Sequence, residues 1–269
     1  MRIARFVHRG GGGESSSGTR VAWGTVEGPA DAPRTALTVA AIDGHPFGAI
    51  TFTGERWALE DVRLLAPILP SKVVGIGRNY AEHAKEMGGT APDSPLIFLK
   101  PSTAVIGDGD AIRLPPSSDE VHHEGELAVV IGRATRNVAS ADALQHVLGY
   151  AAANDVTARD QQRADGQFTR AKGYDSFCPL GPWIQTVLDP GDLRLVTRVN
   201  GIVRQDGRTS QLVHPVAELI AFASAIMTLL PGDVILTGTP AGVGPIVAGD
   251  VVEVEVEGIG TLNNPVAAP

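Results

Sequence analysis

Short apolar runs broken by glycine and proline dominate the chain, and only one segment keeps a long helical period. Residues 1–7 and 21–26 read as strands, joined by Gly10-Gly11-Gly12-Gly13 and Ser15-Ser16-Ser17, a loop by composition. Residues 35–42 and 47–52 continue the strand pattern, as do 72–76, 96–100, 149–156 and 234–237. The run Leu127-Ala128-Val129-Val130-Ile131 predicts a strand buried on both faces. Val252, Val254 and Val256 alternate with Glu253, Glu255 and Glu257, which predicts a strand with one buried and one wet face. Residues 80–87 form a candidate helix closed by Gly88-Gly89, and Ser140 is placed to cap another that runs to Leu148 and stops at Gly149. Pro215 opens the clearest helix, with Val216, Leu219, Ile220, Ala223 and Met227 on one face. Strands outnumber helices and do not alternate regularly with them. That disfavours a TIM barrel or Rossmann sheet and predicts an irregular, β-rich α+β fold. Ala66-Pro67-Ile68-Leu69-Pro70 reads as a linker, dividing a small N-terminal part (1–70) from a larger one (71–269).

Composition narrows the function. The 269 residues include 32 glycines and 19 prolines, above the usual combined share of about 12 %, as expected of a turn-rich globular chain. A net charge of −8 and the absence of any Lys/Arg run argue against nucleic acid as a partner. The single cysteine, Cys178, can form neither an internal disulfide nor a thiolate metal site alone, which suits a reducing cytoplasm. The opening MRIARFVHRG lacks an apolar core, so no signal peptide is expected. The longest mainly apolar stretch, 219–230, is too short to span a bilayer and stops at Pro231-Gly232-Asp233, so no membrane partner is expected.

The densest chemical constellation is His122-His123-Glu124-Gly125-Glu126, followed by Asn154-Asp155 and Lys172. In a strand, Glu124 and Glu126 share a face, roughly 7 Å apart. Carboxylates at the mouth of so apolar a strand are costly unless paired or bound to a cation. Asp155, near the end of another apolar strand, can supply a third. Three oxygen ligands without cysteine suit Mg²⁺, Mn²⁺ or Ca²⁺, although a solvated acidic strand end has the same spacing. His83 and Glu86 stand at i, i+3 on one helical face, the arrangement of a carboxylate-oriented general base and equally of an ordinary surface pair. Glu253, Glu255 and Glu257 read as a wet strand face, and Cys178 as a small buried residue. Gly75-Ile76-Gly77-Arg78 lacks the third glycine of a dinucleotide fingerprint.

Taken together, Gly77-Arg78-Asn79-Tyr80 with His83, Phe98-Leu99-Lys100-Pro101, His123-Glu124-Gly125-Glu126-Leu127, Asn154-Asp155-Val156-Thr157, Lys172-Gly173-Tyr174-Asp175 and Gly238-Thr239-Pro240 resemble the ordered signatures of the fumarylacetoacetate hydrolase family over roughly residues 72 to 266. The opening Met1-Arg2-Ile3-Ala4-Arg5-Phe6 with Trp23-Gly24 is similar to the small N-terminal domain of bacterial members, with the Gly/Ser-rich loop at 10–18 as an insertion. The resemblance implies a mixed β-roll catalytic domain, a homodimer, and a bound Mg²⁺ or Mn²⁺. By resemblance, Glu124, Glu126 and Asp155 are the metal ligands and Lys172 the active-site lysine. Arg159 and Gln162 lie near the substrate, Thr239 contacts its carboxylate, and His83 with Glu86 activates water from a lid.

The expectation is therefore a cytoplasmic, divalent-metal-dependent hydrolase acting on a 2-oxo acid. It would cleave a C–C bond of an acylpyruvate-type (2,4-dioxo acid) substrate through a metal-stabilised enolate. Alternatives are an isomerase or tautomerase of 2-hydroxyhepta-2,4-diene-1,7-dioate or 5-carboxymethyl-2-hydroxymuconate type substrates, and an oxaloacetate decarboxylase. A non-catalytic binding module with a structural cation is the remote reading.

Overall fold

The strand Gly125–Ile131 is buried at every position, as its unbroken apolar run demands, and the molecule is layered around it. The computed structural model describes residues 1–9, 19–29 and 32–269; the Gly/Ser-rich loop at 10–18 lies outside the described residues. Gly125–Ile131 pairs antiparallel with Val147–Asn154 on one side and with Val234–Leu236 on the other. Val234–Leu236 in turn pairs parallel with Val73–Gly77, which pairs antiparallel with Leu96–Lys100. In the other direction the sheet continues through Cys178–Gln185 to Arg2–Arg9, Thr19–Glu27, Thr38–Ile42 and Phe52–Ala58. The N-terminal strands thus extend the central sheet, through the pairs Arg2↔Gln185 and Ile3↔Ile184.

A second sheet runs Ile202–Arg208, Arg194–Val199, Val251–Val256, Gly260–Ala267 and Ile112–Arg113. Its buried Leu195, Val254, Val256 and Leu262 share one core with Leu127 and Val129 of the central strand. The opposite face of that strand, Ala128 and Val130, packs with Ala151, Leu180, Ile184 and Ile3. The helix Val216–Ile226 sinks Val216, Leu219, Ile220 and Ala223 into the first core, the face its period predicts. The architecture is mixed and sheet-rich with few helices. Among the described residues, no helix is long and apolar enough to cross a membrane.

Two local expectations need correction. Residues 47–51 form no strand; the strand is Phe52–Ala58, whose largely exposed position leaves it without apolar alternation. Phe47 instead stacks on His45 at 4.5 Å beside the core. The helix expected over 140–148 is a single turn, Ser140–Ala143, with no side-chain cap from Ser140, then a 3₁₀ turn at Leu144–His146. The chain enters the strand Val147–Asn154 at once, so Gly149 is a strand residue rather than a helix stop. A Cβ there would lie 2.5 Å from the Gln185 carbonyl oxygen, so glycine permits close strand approach.

The glycines of the 75–78 segment also have a packing explanation. Gly75 faces Phe98 in register, and the Phe98 ring occupies the space a Cβ would take, 2.2 Å from it. That ring reaches a cleft in which the polar groups of interest converge. Replacing Gly75 by Ala is expected to displace the ring and destabilise the protein by about 1–3 kcal/mol, read from denaturant midpoints. An unchanged midpoint would show that Phe98 can move without loss.

Candidate metal centre and active site

Glu124 lies between the strands Val121–His123 and Gly125–Ile131, and Asp155 directly follows Val147–Asn154. Antiparallel pairing sets Gly125 opposite Asn154, so the ends of the two strands coincide. The Asp155 amide donates to the Glu124 carbonyl at 2.8 Å, and the Glu124 amide donates to Asn154 Oδ1 at 2.9 Å. Glu126 follows two residues after Glu124. One carboxylate oxygen from each of Glu124, Glu126 and Asp155 falls within 4.8 Å of the others, and all three residues are buried.

So much buried negative charge is held by three cations. Lys172 Nζ donates to Glu124 Oε2 at 2.7 Å and to Asp155 Oδ2 at 2.6 Å. Lys100 Nζ donates to Asp155 Oδ1 at 2.5 Å, and Arg159 Nη2 donates to Glu124 Oε1. Burial alone would raise the Glu124 pKa, but Lys172 and Arg159 hold it well below the ordinary carboxylate range. Burial likewise opposes the Lys172 charge, yet Asp155 and Glu124 outweigh it and its pKa is raised. Glu126 is the exception. Burial, then repulsion from Asp155 and Glu124, pushes its pKa well above the usual value. Among the described residues its carboxylate receives one hydrogen bond, from the Gly238 amide at 2.6 Å.

This donor set fits a divalent cation. It is all oxygen, as hard cations require. Carboxylate oxygens that already accept from lysine or arginine keep a second lone pair. Glu126 is the member still short of positive charge. With three cationic side chains already offsetting three carboxylates, a bound cation's charge is left to meet an anionic ligand.

The other expected residues converge on the same cleft, of about 360 Å³. His83, Arg159, Gln162, Lys172 and Thr239 line it with the three carboxylates. Glu86 stands behind His83, with Oε2 at 3.1 Å from Nδ1, and its Oε1 accepts from the Gly242 amide at 3.0 Å. Arg159 Nη1 donates to Gln162 Oε1 at 2.5 Å, and Arg159 Nε is buried without a hydrogen-bond partner. The Thr239 hydroxyl donates to the Gly125 carbonyl at 2.8 Å and accepts from Gln205 Nε2 at 2.7 Å, so its proton points into the protein. A larger cavity of about 770 Å³, bordered by Met1, Arg2, Arg194 and Glu257, holds none of these groups.

Two residues escape the residue-level reading. Lys100 had a signal, since a lysine ending an apolar strand before proline must find an anion if buried, and it is 1 % exposed. Gln205 had none, lying in the mainly polar strand Ile202–Arg208. Its Oε1 accepts from the Gly125 amide at 2.9 Å and lies 3.2 Å from His123 Nδ1, while Nε2 donates to Thr239 and to the Pro240 carbonyl. It thereby ties the segment carrying Glu124 to the loop carrying Thr239. Burial pulls the His123 pKa down to about 4, against the Gln205 contact, so His123 is a neutral partner at physiological pH.

A cleft that gathers buried oxygen ligands, surrounding cations and an oriented histidine is the site of an enzyme. The fumarylacetoacetate (FAA) hydrolase C-terminal family matches residues 72–267, and the Rv2993c-like N-terminal family matches residues 1–67. The chain belongs to the fumarylacetoacetate hydrolase family. It is similar to a crystal structure of 2-hydroxyhepta-2,4-diene-1,7-dioate isomerase from Mycobacterium marinum, with 53 % identity, TM-score 0.90, and coverage of 100 % of this chain and 98 % of that one. It is 46 % identical to the mitochondrial oxaloacetate tautomerase FAHD2A of Homo sapiens, over 77 % of this chain and 70 % of the relative. Fumarylpyruvate hydrolase from Pseudomonas aeruginosa, solved with Mn²⁺ and pyruvate, is 32 % identical with TM-score 0.72, covering 77 % of this chain and 92 % of that one.

Two outcomes are expected. Saturating Mn²⁺ or Mg²⁺ should raise the Tm of metal-stripped protein by roughly 5 °C or more. Glu126→Gln should remove that shift, and a variant that keeps it would exclude Glu126 as a ligand. Gln205→Leu leaves the Gly125 amide, the Thr239 hydroxyl and the Pro240 carbonyl short of a partner. It should cost about 2–4 kcal/mol in chemical denaturation, and a cost below about 0.5 kcal/mol would mean the clamp is dispensable.

Proposed function

We propose that the protein hydrolyses the carbon–carbon bond of an acylpyruvate-type 2,4-dioxo acid. The observation that carries the reading is the chain Gly242 amide–Glu86–His83 on the wall of the cleft that holds the carboxylate cluster. Glu86, fixed by the Gly242 amide, takes the Nδ1 proton of His83 as a hydrogen bond and leaves a lone pair on Nε2. A purely structural cation site has no use for such a pair. Held by Glu124, Glu126 and Asp155, a divalent cation would act as a Lewis acid and offset the charge of the substrate's 2-oxo acid end and of its developing enolate. His83 Nε2 removes a proton from water, whose oxygen attacks the distal carbonyl carbon. The bond between that carbon and C3 breaks, its electron pair stays on C3, and protonation there yields pyruvate beside the released carboxylic acid. Lys172 and Arg159 add positive charge beside the cluster.

A second reading is supported by the named activities of similar proteins. The same base, taking a proton from carbon instead of water, would catalyse keto–enol tautomerisation or dienoate isomerisation. Oxaloacetate decarboxylation would need the enolate stabilisation but no activated water. The readings separate on a panel of acetylpyruvate, fumarylpyruvate, oxaloacetate and a 2-hydroxymuconate-type dioate with Mg²⁺ or Mn²⁺, products being identified by chromatography. Pyruvate and the matching acid are expected, and isomerised dioate or enol without cleavage would transfer the function to the second reading. His83→Ala should lower kcat by about 10²–10⁴ while the metal-induced Tm shift persists. Hydrolysis at the parental rate would remove His83 as the base.

A further inference from the structure

We propose that His214 is a positioning residue for the base: its imidazole braces the loop that carries His83 and Glu86. The inference rests on the reading of His83 as the general base of the cleft.

The chain leaves the central sheet at Gly77 and rejoins it at Leu96, its partner in register. The loop between them, residues 78–95, supplies Arg78, His83 and Met87 to the cleft wall. Its outgoing limb is fixed through the backbone of residues 212–214. Asn79 is buried; its Oδ1 accepts from the His214 amide at 2.9 Å, and its Nδ2 donates to the His214 carbonyl at 3.0 Å and the Thr237 carbonyl at 2.8 Å. The Val213 amide donates to the Asn79 carbonyl at 2.8 Å, and Tyr80 forms a bridge with Leu212. The helix Ala81–Glu86 starts from this anchored turn and buries His83.

The returning limb has far less to hold it. Gly88 sits at φ +78°, and the helix closes there, the Gly88 amide donating to the Lys85 carbonyl and the Gly89 amide to the Ala84 carbonyl. From Thr90 to Ser94, the one hydrogen bond among the described residues is at Pro92, whose carbonyl oxygen lies 3.1 Å from His214 Nε2. A carbonyl oxygen only accepts, so Nε2 carries the proton of this bond. One residue thus holds both limbs, the outgoing one through its backbone and the returning one through its ring. His214 does not border the cleft, so it acts through the loop and not on a substrate.

Glu86 orients the His83 ring, but the standing of the helix over the cleft is left to the two limbs and to the Glu86 bond with the Gly242 amide. Gly88-Gly89 separates the helix from the returning limb, so the Pro92 contact is what keeps that pair from acting as a pivot. Displacing a base by about 1 Å is enough to cost about 10²-fold in rate. The other neighbour of the ring, Glu218 Oε2, lies 3.5 Å from Nδ1, and its side chain is 55 % exposed, where such a pair contributes little. The bond to Pro92 is therefore the part of the His214 side chain on which the base depends.

Three variants test this. His214→Leu removes the ring donor and leaves the backbone bonds to Asn79 in place. With Mn²⁺ and the substrate of the panel above that the parent turns over fastest, its kcat should fall about tenfold or more while KM stays within about threefold. The Mn²⁺-induced Tm rise should be kept. His214→Gln, whose Nε2 stands the same number of bonds from the backbone, should restore most of kcat. Glu218→Gln should leave kcat unchanged. Hydrogen exchange read by mass spectrometry reports the brace without a substrate. Amides of residues 81–89 should exchange about tenfold faster in His214→Leu than in the parent or His214→Gln, while those of 125–131 keep the parental rate. A parental kcat in His214→Leu, or a loss that His214→Gln does not recover, would overturn the role of the ring. Faster exchange at 125–131 as well as 81–89 would make His214 a determinant of the whole fold and overturn it equally. Accelerated exchange confined to 81–89, with no panel substrate turned over by the parent, would overturn the reading of His83 as the base and this inference with it.

Discussion

Three buried carboxylates whose oxygens lie within 4.8 Å of one another repel strongly and lose their hydration. The structure depends on how that charge is held. Lys100, Lys172 and Arg159 come from a strand end, a helix end and a helix start, and each places its charge on Glu124 or Asp155. Glu126 is supported only by a backbone amide among the described residues. This division explains the site's chemistry. Glu124 and Asp155 are each bound by cationic side chains, and the third carboxylate is left needing a cation.

The arrangement also explains why one family carries several named activities. On the function proposed above, the cluster and its cations would favour any substrate that develops an enolate next to a carboxylate. What happens to the rest of the molecule depends on the groups along the cleft wall, chiefly the His83–Glu86 pair and the rim. On the same proposal, the fold and the carboxylate cluster would define the class of chemistry, while the wall would select the reaction within it.

Much of this was legible in the amino-acid order. The apolar run after Glu126 marks the central strand, and the cost of charge at its mouth draws attention to the carboxylates that the fold brings together. Spacing alone left Glu124 and Glu126 indistinguishable from a solvated strand end. What separates the two cases is the arrival of Lys100 and Lys172 from distant parts of the chain, which no local pattern encodes. The errors have the same origin. Phe52–Ala58 is an exposed edge whose residues lack apolar alternation, and Gly149 looked like a helix stop because the closeness of Gln185 is a long-range fact. Gln205 was invisible because a polar residue in a polar strand carries no local sign of burial.

The clamp from Gln205 to Gly125, 80 residues away in sequence, and the bond from Gly238 to Glu126, 112 residues away, have a kinetic consequence. Contacts of such separation close large loops, so their entropy must be lost before they return any stabilisation. Local turns and hairpins form ahead of them. Until the distant segments meet, the acidic side chains remain hydrated as ordinary acids, and the cation-binding geometry does not yet exist. Acquisition of a metal by this cluster would in this way be a late event, open only to chains that have already completed their topology.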